Sequence, residues 1–361
     1  MYKIITVLGT RPEIIKLSLT IPKLDKYFNH KLVHTGQNYD YELNEIFFKD
    51  LSIRKPDYFL NTQSSSAIGN IANILVKFEE IINIERPDAI VILGDTNSAL
   101  VSIVGYKKKI TIFHLEAGNR CFNRNTPEEL NRKLVDHSSD LNLVYTDIAK
   151  FNLLREGISP EYIIKTGSPM LEVINHYKSK ILKSKIKNKI KLKDKNYILV
   201  SFHREENVDD KNILKELFEI LILLAKRFNK KIVFSTHART KKNINIFNLK
   251  KPKGILFLNS FSFTDYISLQ MNSFLVMSDS GTITEESSIL SFDAINLRDS
   301  TERLEGMEEG SVIMTGLNYK KILSSIIMLK SIKKKSNLIK DYNVSNFSEK
   351  IIKIILSYLD K

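Results

Sequence analysis

The feature that most constrains this fold is a cycle, repeated along the chain, of a short β-rich run, a polar turn and an amphipathic helical stretch. The helical stretches are long enough for right-handed crossovers, so the cycle predicts parallel α/β sheets covered on both faces. The predicted strands are residues 3–8, 31–34, 89–93, 110–115, 141–145 and 162–166, followed by residues 197–202, 231–235, 254–258, 274–277, 294–297 and 311–314.

The cycle is interrupted once, by a lysine-rich segment over residues 177–195 that contains no hydrophobic strand. We interpret this segment as a connection between two doubly wound, Rossmann-like domains, residues 1–176 and 196–345, with a cleft between them. A chain of 361 residues is long enough to give each domain its own core. The terminal residues 346–361 predict a helix that crosses back to the first domain.

Composition excludes several classes of protein. The net charge of +14 comes mostly from lysines concentrated at 178–195 and 330–335, without the interleaved aromatics or arginines that nucleic-acid binding favours. We therefore expect no nucleic-acid partner. No apolar run is long enough to cross a bilayer, and the N-terminus does not resemble a signal peptide. Cys121 is the single cysteine, which excludes an internal disulfide. We expect a cytoplasmic protein without a membrane partner.

Polar and charged residues fall regularly just after the predicted strands, which is where open α/β sheets bind ligands. Scattered surface charge would not show this regularity. In the first half these segments are residues 9–13, 34–37, 94–97 and 114–120, and in the second half they are residues 203–205, 236–237, 278–282 and 298–299.

Three charged residues in the first half differ in how strongly the sequence favours a functional role over a structural one. Thr10 and Glu13 fit a helix capping box, but this does not explain Arg11, which suits a bound phosphate or carboxylate at a helix start. Asp95 could be a helix cap or a functional carboxylate. Glu116 is harder to explain as a cap, because no helix begins there, and a carboxylate after a buried strand is costly unless it is paired or used.

A predicted helix start at residues 126–129 indicates which of two neighbouring glutamates is the candidate functional residue. Thr126 fits the cap, Pro127 the first helical position, and Glu129 the third, where it would close a capping box. This interpretation makes Glu129 structural and leaves Glu128 as the functional member.

In the second half, His203 ends a strand beside charged residues, so a functional role and a structural role are equally plausible. The run 280–282 begins a helix and would suit a diphosphate, although a plain N-cap explains it nearly as well. Glu286, one turn inside that helix, could accept from ribose hydroxyls or could simply be exposed. Arg303 is a second candidate phosphate ligand.

We expect no cofactor. The histidines lack clustered ligand spacing, and no D-x-D pair is present to hold a nucleotide-bound cation. Neither the phosphate-binding loop G-x-x-x-x-G-K-[ST] nor the dinucleotide fingerprint G-x-G-x-x-G appears, so ATP and NAD are not implied.

Taken together, the motifs resemble those of the bacterial non-hydrolysing UDP-N-acetylglucosamine 2-epimerase family. Any one motif is weak, but their order and spacing over nearly the whole chain are highly specific. The motifs are Gly9-Thr10-Arg11-Pro12-Glu13, Gly94-Asp95-Thr96, Glu116-Ala117-Gly118, Pro127-Glu128-Glu129 with Asn131-Arg132, His203-Arg204-Glu205, Asp279-Ser280-Gly281 with Glu285-Glu286, and Arg298-Asp299 with Glu302-Arg303.

The resemblance implies a glycosyltransferase-B-like architecture, a UDP-sugar substrate, a homodimer, and a two-stage reaction without metal or redox cofactor. A base removes the C-2 proton as UDP departs from C-1, and UDP then adds back as a proton reaches the opposite face. On matching positions the implied catalytic residues are Asp95, Glu116, Glu128 and His203. The implied substrate-binding residues are Arg11, Lys16, Asn119, Arg120, His237, Tyr266, Ser280, Gly281, Thr282, Glu286 and Arg303.

Departures from the better-known enzymes suggest a branch of the family. The run 119–122 reads Asn-Arg-Cys-Phe, Phe202 precedes the histidine, and Thr282 replaces a second glycine. This combination is similar to the branch that makes UDP-N-acetyl-L-fucosamine from UDP-2-acetamido-2,6-dideoxy-L-talose for capsules and O antigens. The alternatives are an ordinary UDP-N-acetylglucosamine 2-epimerase, a glycosyltransferase of the same fold, and a nucleotide-sugar-binding protein without turnover.

Overall fold

A computed structural model of the chain describes residues 1–36, 41–64, 66–124, 126–332 and 338–360, with side chains left out at 41–44. Of the residues considered above, Gln37, Lys333, Lys334 and Lys335 lie outside this part. The chain forms two compact units. The first contains residues 1–176 and 341–361, and the second contains residues 177–340.

Within the described residues, the first unit contains a seven-stranded parallel sheet in the order β3-β2-β1-β4-β5-β6-β7. Six of these strands were predicted, whereas β3 has only two residues and is too short to produce a periodic signal. The strands are β1 (Lys3–Leu8), β2 (Asn29–His34), β3 (Tyr58–Phe59), β4 (Ala89–Leu93), β5 (Thr111–Ala117), β6 (Leu141–Val144) and β7 (Ile163–Lys165).

Helices connect these strands and cover the sheet, as parallel pairing requires. They are α1 (Arg11–Leu17), α2 (Thr20–Tyr27), α3 (Tyr41–Asp50), α4 (Ala67–Glu85), α5 (Ser102–Lys107), α6 (Glu128–Ser138), α7 (Asp147–Arg155) and α8 (Met170–His176). One face of the sheet packs on α4, where Ile74 and Phe78 meet Ile5, Ile90 and Ile112 in a single apolar cluster. Burial of these side chains fixes the strand ends that carry the candidate site.

The second unit has, in the part of the chain that the structure describes, a six-stranded parallel sheet in the order β10-β9-β8-β11-β12-β13. The strands are β8 (Tyr197–Ser201), β9 (Lys231–Thr236), β10 (Ile255–Asn259), β11 (Leu275–Ser278), β12 (Ala294–Asn296) and β13 (Ile313–Met314). All six were predicted. The central strand β8 is buried on both faces: Ile198 and Val200 enter one apolar cluster, and Tyr197 and Leu199 enter another.

The helices of this unit lie on both faces of its sheet. They are α9 (Lys178–Leu182), α10 (Ile186–Lys189), α11 (Glu205–Val208), α12 (Lys211–Phe228), α13 (Ala238–Ile246), α14 (Phe263–Asn272), α15 (Thr282–Leu290), α16 (Glu305–Glu308) and α17 (Tyr319–Ser331). The lysine-rich segment 177–195 differs from the expected connection, because it contains α9 and α10 and belongs to the second unit. Ile181, Ile186 and Leu192 are buried there, and the lysines cover their outer side.

The last helix, α18 (Phe347–Leu359), lies within the predicted residues 346–361 and belongs to the first unit, where it packs against α2. The Phe347 ring meets Tyr145 edge-on, and Tyr358 meets Phe113 in the same way. None of the helices in the described ranges is long and apolar enough to cross a membrane.

Candidate active site

The predicted site residues gather at one edge of each sheet. Both sheets reverse their strand order at a central pair, β1 and β4 in the first unit and β8 and β11 in the second. In open α/β sheets, ligands bind beyond the carboxyl ends of the strands at such a reversal. The chain supplies Arg11 and Asp95 after the first pair, and His203 and Ser280 after the second.

Glu116 lies at the end of β5 in an unusual backbone conformation. Its φ is 66°, in the left-handed region, and the pairing of β5 with β6 shifts register between Leu115 and Ala117. The buried Lys16 holds its carboxylate, with Nζ 2.7 and 2.6 Å from the two oxygens. Lys16 was predicted to bind the nucleotide, and in this structure its direct partner is Glu116.

Asp95 follows β4 and is not a helix cap. The neighbouring Thr96 caps the next helical turn, with its hydroxyl accepting from the Ser98 amide. The Asp95 carboxylate accepts from Arg132 Nε at 2.7 Å, and Arg132 Nη1 donates to Glu129 at 2.8 Å. Arg132 is therefore shared between the predicted catalytic carboxylate and a structural one.

Three side chains hold the loop 94–96 in place. The carbonyl of Gly94 accepts from His114 at 2.9 Å, and the next carbonyl accepts from Asn131 at 3.0 Å. The hydroxyl of Thr96 donates to Glu13 at 2.6 Å. A Cβ on Gly94 would lie 3.9 Å from the Glu116 carboxylate, so this loop passes beside the Lys16–Glu116 pair.

Glu13 is a buried carboxyl that the sequence explained only as a cap. Its Oε2 does accept from the Thr10 amide at 2.7 Å, and also from the Gly9 amide at 2.6 Å. Burial outweighs these hydrogen bonds and raises the pKa of Glu13 to about 7. Arg11 begins α1 half-buried, with its guanidinium 5.8 Å from the centre of the Phe47 ring.

The predicted capping box at the start of α6 does not form. Pro127 is the N-cap, and the Glu129 carboxylate accepts from the amides of Cys121 and Phe122 at 3.0 and 3.1 Å. Burial raises the pKa of Glu129, but the hydrogen bonds from Cys121 and the charge and hydrogen bond of Arg132 together outweigh it and leave the pKa below its ordinary value. Glu129 is structural as predicted, by a different contact, and Glu128 is half-buried in the first turn.

The prediction that Arg120 binds the sugar needs correction. Its side chain is fully buried, with the guanidinium 2.7 Å from Asp136 and 2.5 Å from Glu156. Asp136 also faces Nδ1 of His114 at 2.9 Å, which ties Arg120 to the loop 94–96. A buried guanidinium with two carboxylate partners stabilises the fold and does not reach a ligand. Asn119 is also buried, and its role stays a prediction.

In the second unit, His203 lies in a turn that one carboxylate holds. Asp279, which is 0% exposed, accepts from the amides of His203 and Arg204 at 3.0 and 2.9 Å, and from the Asn207 side chain at 3.0 Å. Its Oδ1 is 3.3 Å from Nδ1 of His203. The ring of His237 lies 5.6 Å from that of His203, so these two predicted residues come together.

The start of α15 keeps the run 280–282 near the strand ends. Its N-cap is Gly281, which makes no side-chain cap, so the plain-cap explanation for Ser280 is wrong. The Ser280 hydroxyl instead lies 3.1 Å from that of Thr282. A Cβ on Gly281 would come within 2.5 Å of the Glu302 carboxylate, which would have to move to admit a larger residue.

Glu286 and Tyr266 are both less exposed than an incidental surface residue would be. Glu286 is buried and accepts from Gln270 at 2.6 Å, which removes the exposed-glutamate alternative. Tyr266 is half-buried and packs against the apolar cluster on its face of the sheet. Their contacts with a nucleotide stay predictions.

The role of Arg303 as a phosphate ligand also stays a prediction. The side chain is 2% exposed, and its guanidinium lies 3.4 Å from Glu285 and 3.7 Å from Glu305. Both carboxylates are buried as well. Arg303 therefore lies between two buried acids, and its Nη1 makes no hydrogen bond within the described residues.

Comparison with known proteins decides the family. The model of the UDP-N-acetylglucosamine 2-epimerase family matches residues 22–356. The chain belongs to this family. It is therefore an isomerase, a non-hydrolysing 2-epimerase of nucleotide sugars.

The similarity of this epimerase to individual relatives covers nearly its whole length. The UDP-N-acetylglucosamine 2-epimerase of Methanocaldococcus jannaschii is 37% identical, with 98% of each chain covered. A structure of that archaeal enzyme in complex with UDP-GlcNAc and UDP superposes with a TM-score of 0.92 at 36% identity, covering 98% of this chain and 99% of that one. The UDP-N-acetylglucosamine 2-epimerase structure from Rickettsia bellii has a TM-score of 0.92 at 45% identity, covering 100% and 97%.

Three contributors to the epimerase site were missed from the sequence as site residues. Arg132 holds Asp95, Asp279 holds His203, and Glu13 holds the loop 94–96. The available signal was position, because Asp279 directly follows β11 as the predicted residues follow other strands. Within the described ranges, no three His, Cys, Asp or Glu side chains are grouped as a metal site would require.

Proposed function

We propose that this epimerase interconverts UDP-N-acetylglucosamine and UDP-N-acetylmannosamine by elimination and re-addition of UDP. The observation that carries the proposal is the pair of carboxylates at the switch point, Glu116 and Asp95, each held by a buried cation. Inversion at C-2 needs a group that removes a proton from one face of the sugar and a group that returns one to the other. The names of the relatives support the choice of sugar.

In the proposed reaction, the C-2 hydrogen leaves as a proton to a carboxylate, and its electron pair forms the C-1–C-2 double bond. The C-1–oxygen bond breaks at the same time, and its electrons leave with UDP. Re-addition reverses both changes, with the proton delivered to the opposite face of the enclosed glycal. Asp95, Glu116 and Glu128 are the proposed acid and base groups.

The second unit is the proposed nucleotide site. The uncapped start of α15 offers backbone N–H groups to a diphosphate, and a helix N-terminus favours negative charge. Ser280, Gly281 and Thr282 would supply these contacts, with Glu286 accepting from the ribose and Tyr266 near the uracil. His203 and His237 would face the diphosphate. Arg11 is the proposed anion-binding residue of the first unit.

A second candidate substrate is UDP-2-acetamido-2,6-dideoxy-L-talose, giving UDP-N-acetyl-L-fucosamine. It is favoured by the run 119–122, whose last residue, Phe122, has a φ of 53° and a side chain 69% exposed. An exposed aromatic ring on a fixed loop suits an apolar contact such as a 6-deoxy methyl group. Use of the product in capsules or O antigens depends on this second candidate.

Proton NMR in deuterated water tests both candidates. UDP-N-acetylglucosamine and UDP-N-acetyl-L-fucosamine are offered separately, and deuterium at C-2 is followed together with the new epimer. We expect exchange with the glucosamine nucleotide. Exchange with the L-sugar alone would transfer the assignment to the second candidate. No exchange with either would reject epimerisation of these sugars and favour the same-fold glycosyltransferase, which needs an acceptor and leaves C-2 untouched.

We also propose that the epimerase is a homodimer. Light scattering coupled to size-exclusion chromatography should give twice the mass of one chain. A mass equal to one chain at micromolar concentration would contradict the proposal.

A further inference from the structure

The turn that carries His203 is organised around a single buried carboxylate. Asp279 receives the backbone amides of His203 and Arg204 and the side-chain amide of Asn207. Its own carbonyl accepts from Arg204 Nε at 3.1 Å. A carboxylate without solvent contact is costly unless donors surround it, so this arrangement fixes the position of the turn.

The same carboxylate selects the tautomer of the His203 ring. Its Oδ1 lies 3.3 Å from Nδ1 of His203, and an ionised carboxylate can only accept. The proton of the neutral imidazole is therefore stabilised on Nδ1, which leaves the lone pair on Nε2. The ring is about one-third exposed, so a ligand can reach it.

The neighbouring imidazole is held in the opposite tautomer. His237 is the N-cap of α13, and its Nδ1 accepts from the Arg239 amide at 3.3 Å. An accepting Nδ1 carries no proton, so the neutral ring is protonated at Nε2.

We propose that Asp279 is a positioning residue that fixes His203 as the Nδ1–H tautomer, while α13 fixes His237 as the Nε2–H tautomer. The two rings, 5.6 Å apart, then have different roles. His203 presents an acceptor that can gain and lose a proton, whereas His237 only donates a hydrogen bond, as an oxygen of a diphosphate requires. These roles toward the ligand rest on the proposed function, but the tautomers do not.

Nitrogen-15 NMR of the unliganded full chain with labelled histidine measures the tautomers directly. His203→Gln and His237→Gln spectra assign the two rings. We expect the pyridine-type nitrogen to be Nε2 in His203 and Nδ1 in His237. A pyridine-type Nδ1 in His203, or equal tautomers in the two rings, would overturn the proposal whatever the activity of the protein.

Asp279→Asn tests the positioning role, because the amide can turn its NH₂ group toward Nδ1 and favour the Nε2–H tautomer. We expect His203 to change tautomer and kcat to fall by about 100-fold or more, with KM changed less than about 3-fold. Asn207→Ala is the matched control, since it removes another contact to the same carboxylate and should change neither tautomer.

An Asp279→Asn protein with an unchanged tautomer and kcat would reject the positioning role. If Asp279→Asn does not fold, the wild-type spectrum still decides the tautomers. The expected tautomers in a wild-type protein that exchanges no C-2 deuterium would reject the proposed function and leave this assignment in place.

Discussion

In both units the candidate residues lie beyond the carboxyl ends of the strands of a parallel sheet. The units differ in the charge of the buried partner, which is a cation in the first unit and a carboxylate in the second. In the first unit, the candidate carboxylates of Glu116 and Asp95 are each paired with a more deeply buried cation. In the second unit, the candidate residue His203 is 31% exposed, and its backbone amide donates to a fully buried carboxylate. Two sheets with the same switch-point topology therefore present anions in one case and a basic ring in the other.

This difference indicates a division of labour between the units. Anions that keep their own cations can accept protons, but they would repel a diphosphate. An imidazole near a helix N-terminus that lacks a side-chain cap suits a diphosphate, but it offers fewer proton acceptors than two carboxylates do. The chemistry of each set of strand ends follows from which member of each pair is the more exposed. Four substitutions test that comparison.

The largest effect is expected from Glu116→Gln. Glutamine cannot accept a proton, and it leaves the Lys16 ammonium without its counter-charge. We expect kcat to fall by about 10³-fold, within the range typical of a lost acid or base. The measurement is the rate of C-2 deuterium exchange per folded protein, with the folded fraction taken from circular dichroism.

Glu85→Gln is the matched control for that experiment. Glu85 is a lysine-paired carboxylate of the same unit, paired with Lys3 and 10% exposed against 11% for Glu116, but it belongs to the opposite end of the sheet. Its kcat should stay within about 2-fold of the wild type. Equal losses in the two variants would mean that carboxylates of this unit matter only for folding.

Arg120→Met tests the correction made to the sugar-binding prediction. The substitution leaves Asp136 buried without its guanidinium partner, which should lower the free energy of unfolding by about 3–5 kcal/mol. Urea denaturation measures the loss, and the double variant Arg120→Met with Asp136→Asn should recover part of it. A raised KM with unchanged stability would instead restore Arg120 as a ligand of the sugar.

Glu13→Gln should change how stability depends on pH. The pKa of Glu13 rises from 4.5 to about 7 on folding, so between these values the folded protein binds more protons than the unfolded chain. The free energy of unfolding therefore falls as pH rises through this window, by about 3 kcal/mol from this group. Glutamine removes that contribution.

The Glu13→Gln comparison is made by urea denaturation at about pH 4.5 and about pH 8. The variant should match the wild type at the lower pH and exceed its stability at the higher pH. Parallel pH profiles would mean that the hydrogen bonds from Gly9, Thr10 and Thr96 stabilise the ionised carboxylate enough to offset its burial.

The fold could be predicted because a strand that is buried on both faces of a sheet requires a continuous run of apolar residues, which is visible in the sequence. Strands such as β4 and β8 are continuous apolar runs, and they end where polar turn residues begin. The strand β3 was missed because two residues carry no period. The segment 177–195 was misplaced because its four buried apolar residues are separated by exposed lysines.

The candidate site was harder to predict, because residue type and position do not give side-chain direction. Arg11, Arg120 and Arg303 look equivalent in the sequence. Only the structure reveals that Arg120 and Arg303 are buried against carboxylates, such as Glu156 beside Arg120 and Glu285 beside Arg303. Asp279 was overlooked for the same reason, since its partners lie more than seventy residues earlier.

The smallest effect is expected from Arg239→Gln. This variant tests whether the exposed ion pairs of the second unit matter less for kcat and stability than the buried carboxylate does. Arg239 on α13 pairs with Glu205 and Asp209, which flank α11 near His203, but all three side chains are more than one-third exposed. Exposed ion pairs contribute about 0.2–1 kcal/mol, so stability should fall by no more than that and kcat by less than about 2-fold. Urea denaturation and deuterium exchange measure both quantities. A fall in kcat comparable to that of Asp279→Asn would show that the ion pairs between α11 and α13 position His203, and that the buried carboxylate does not act alone.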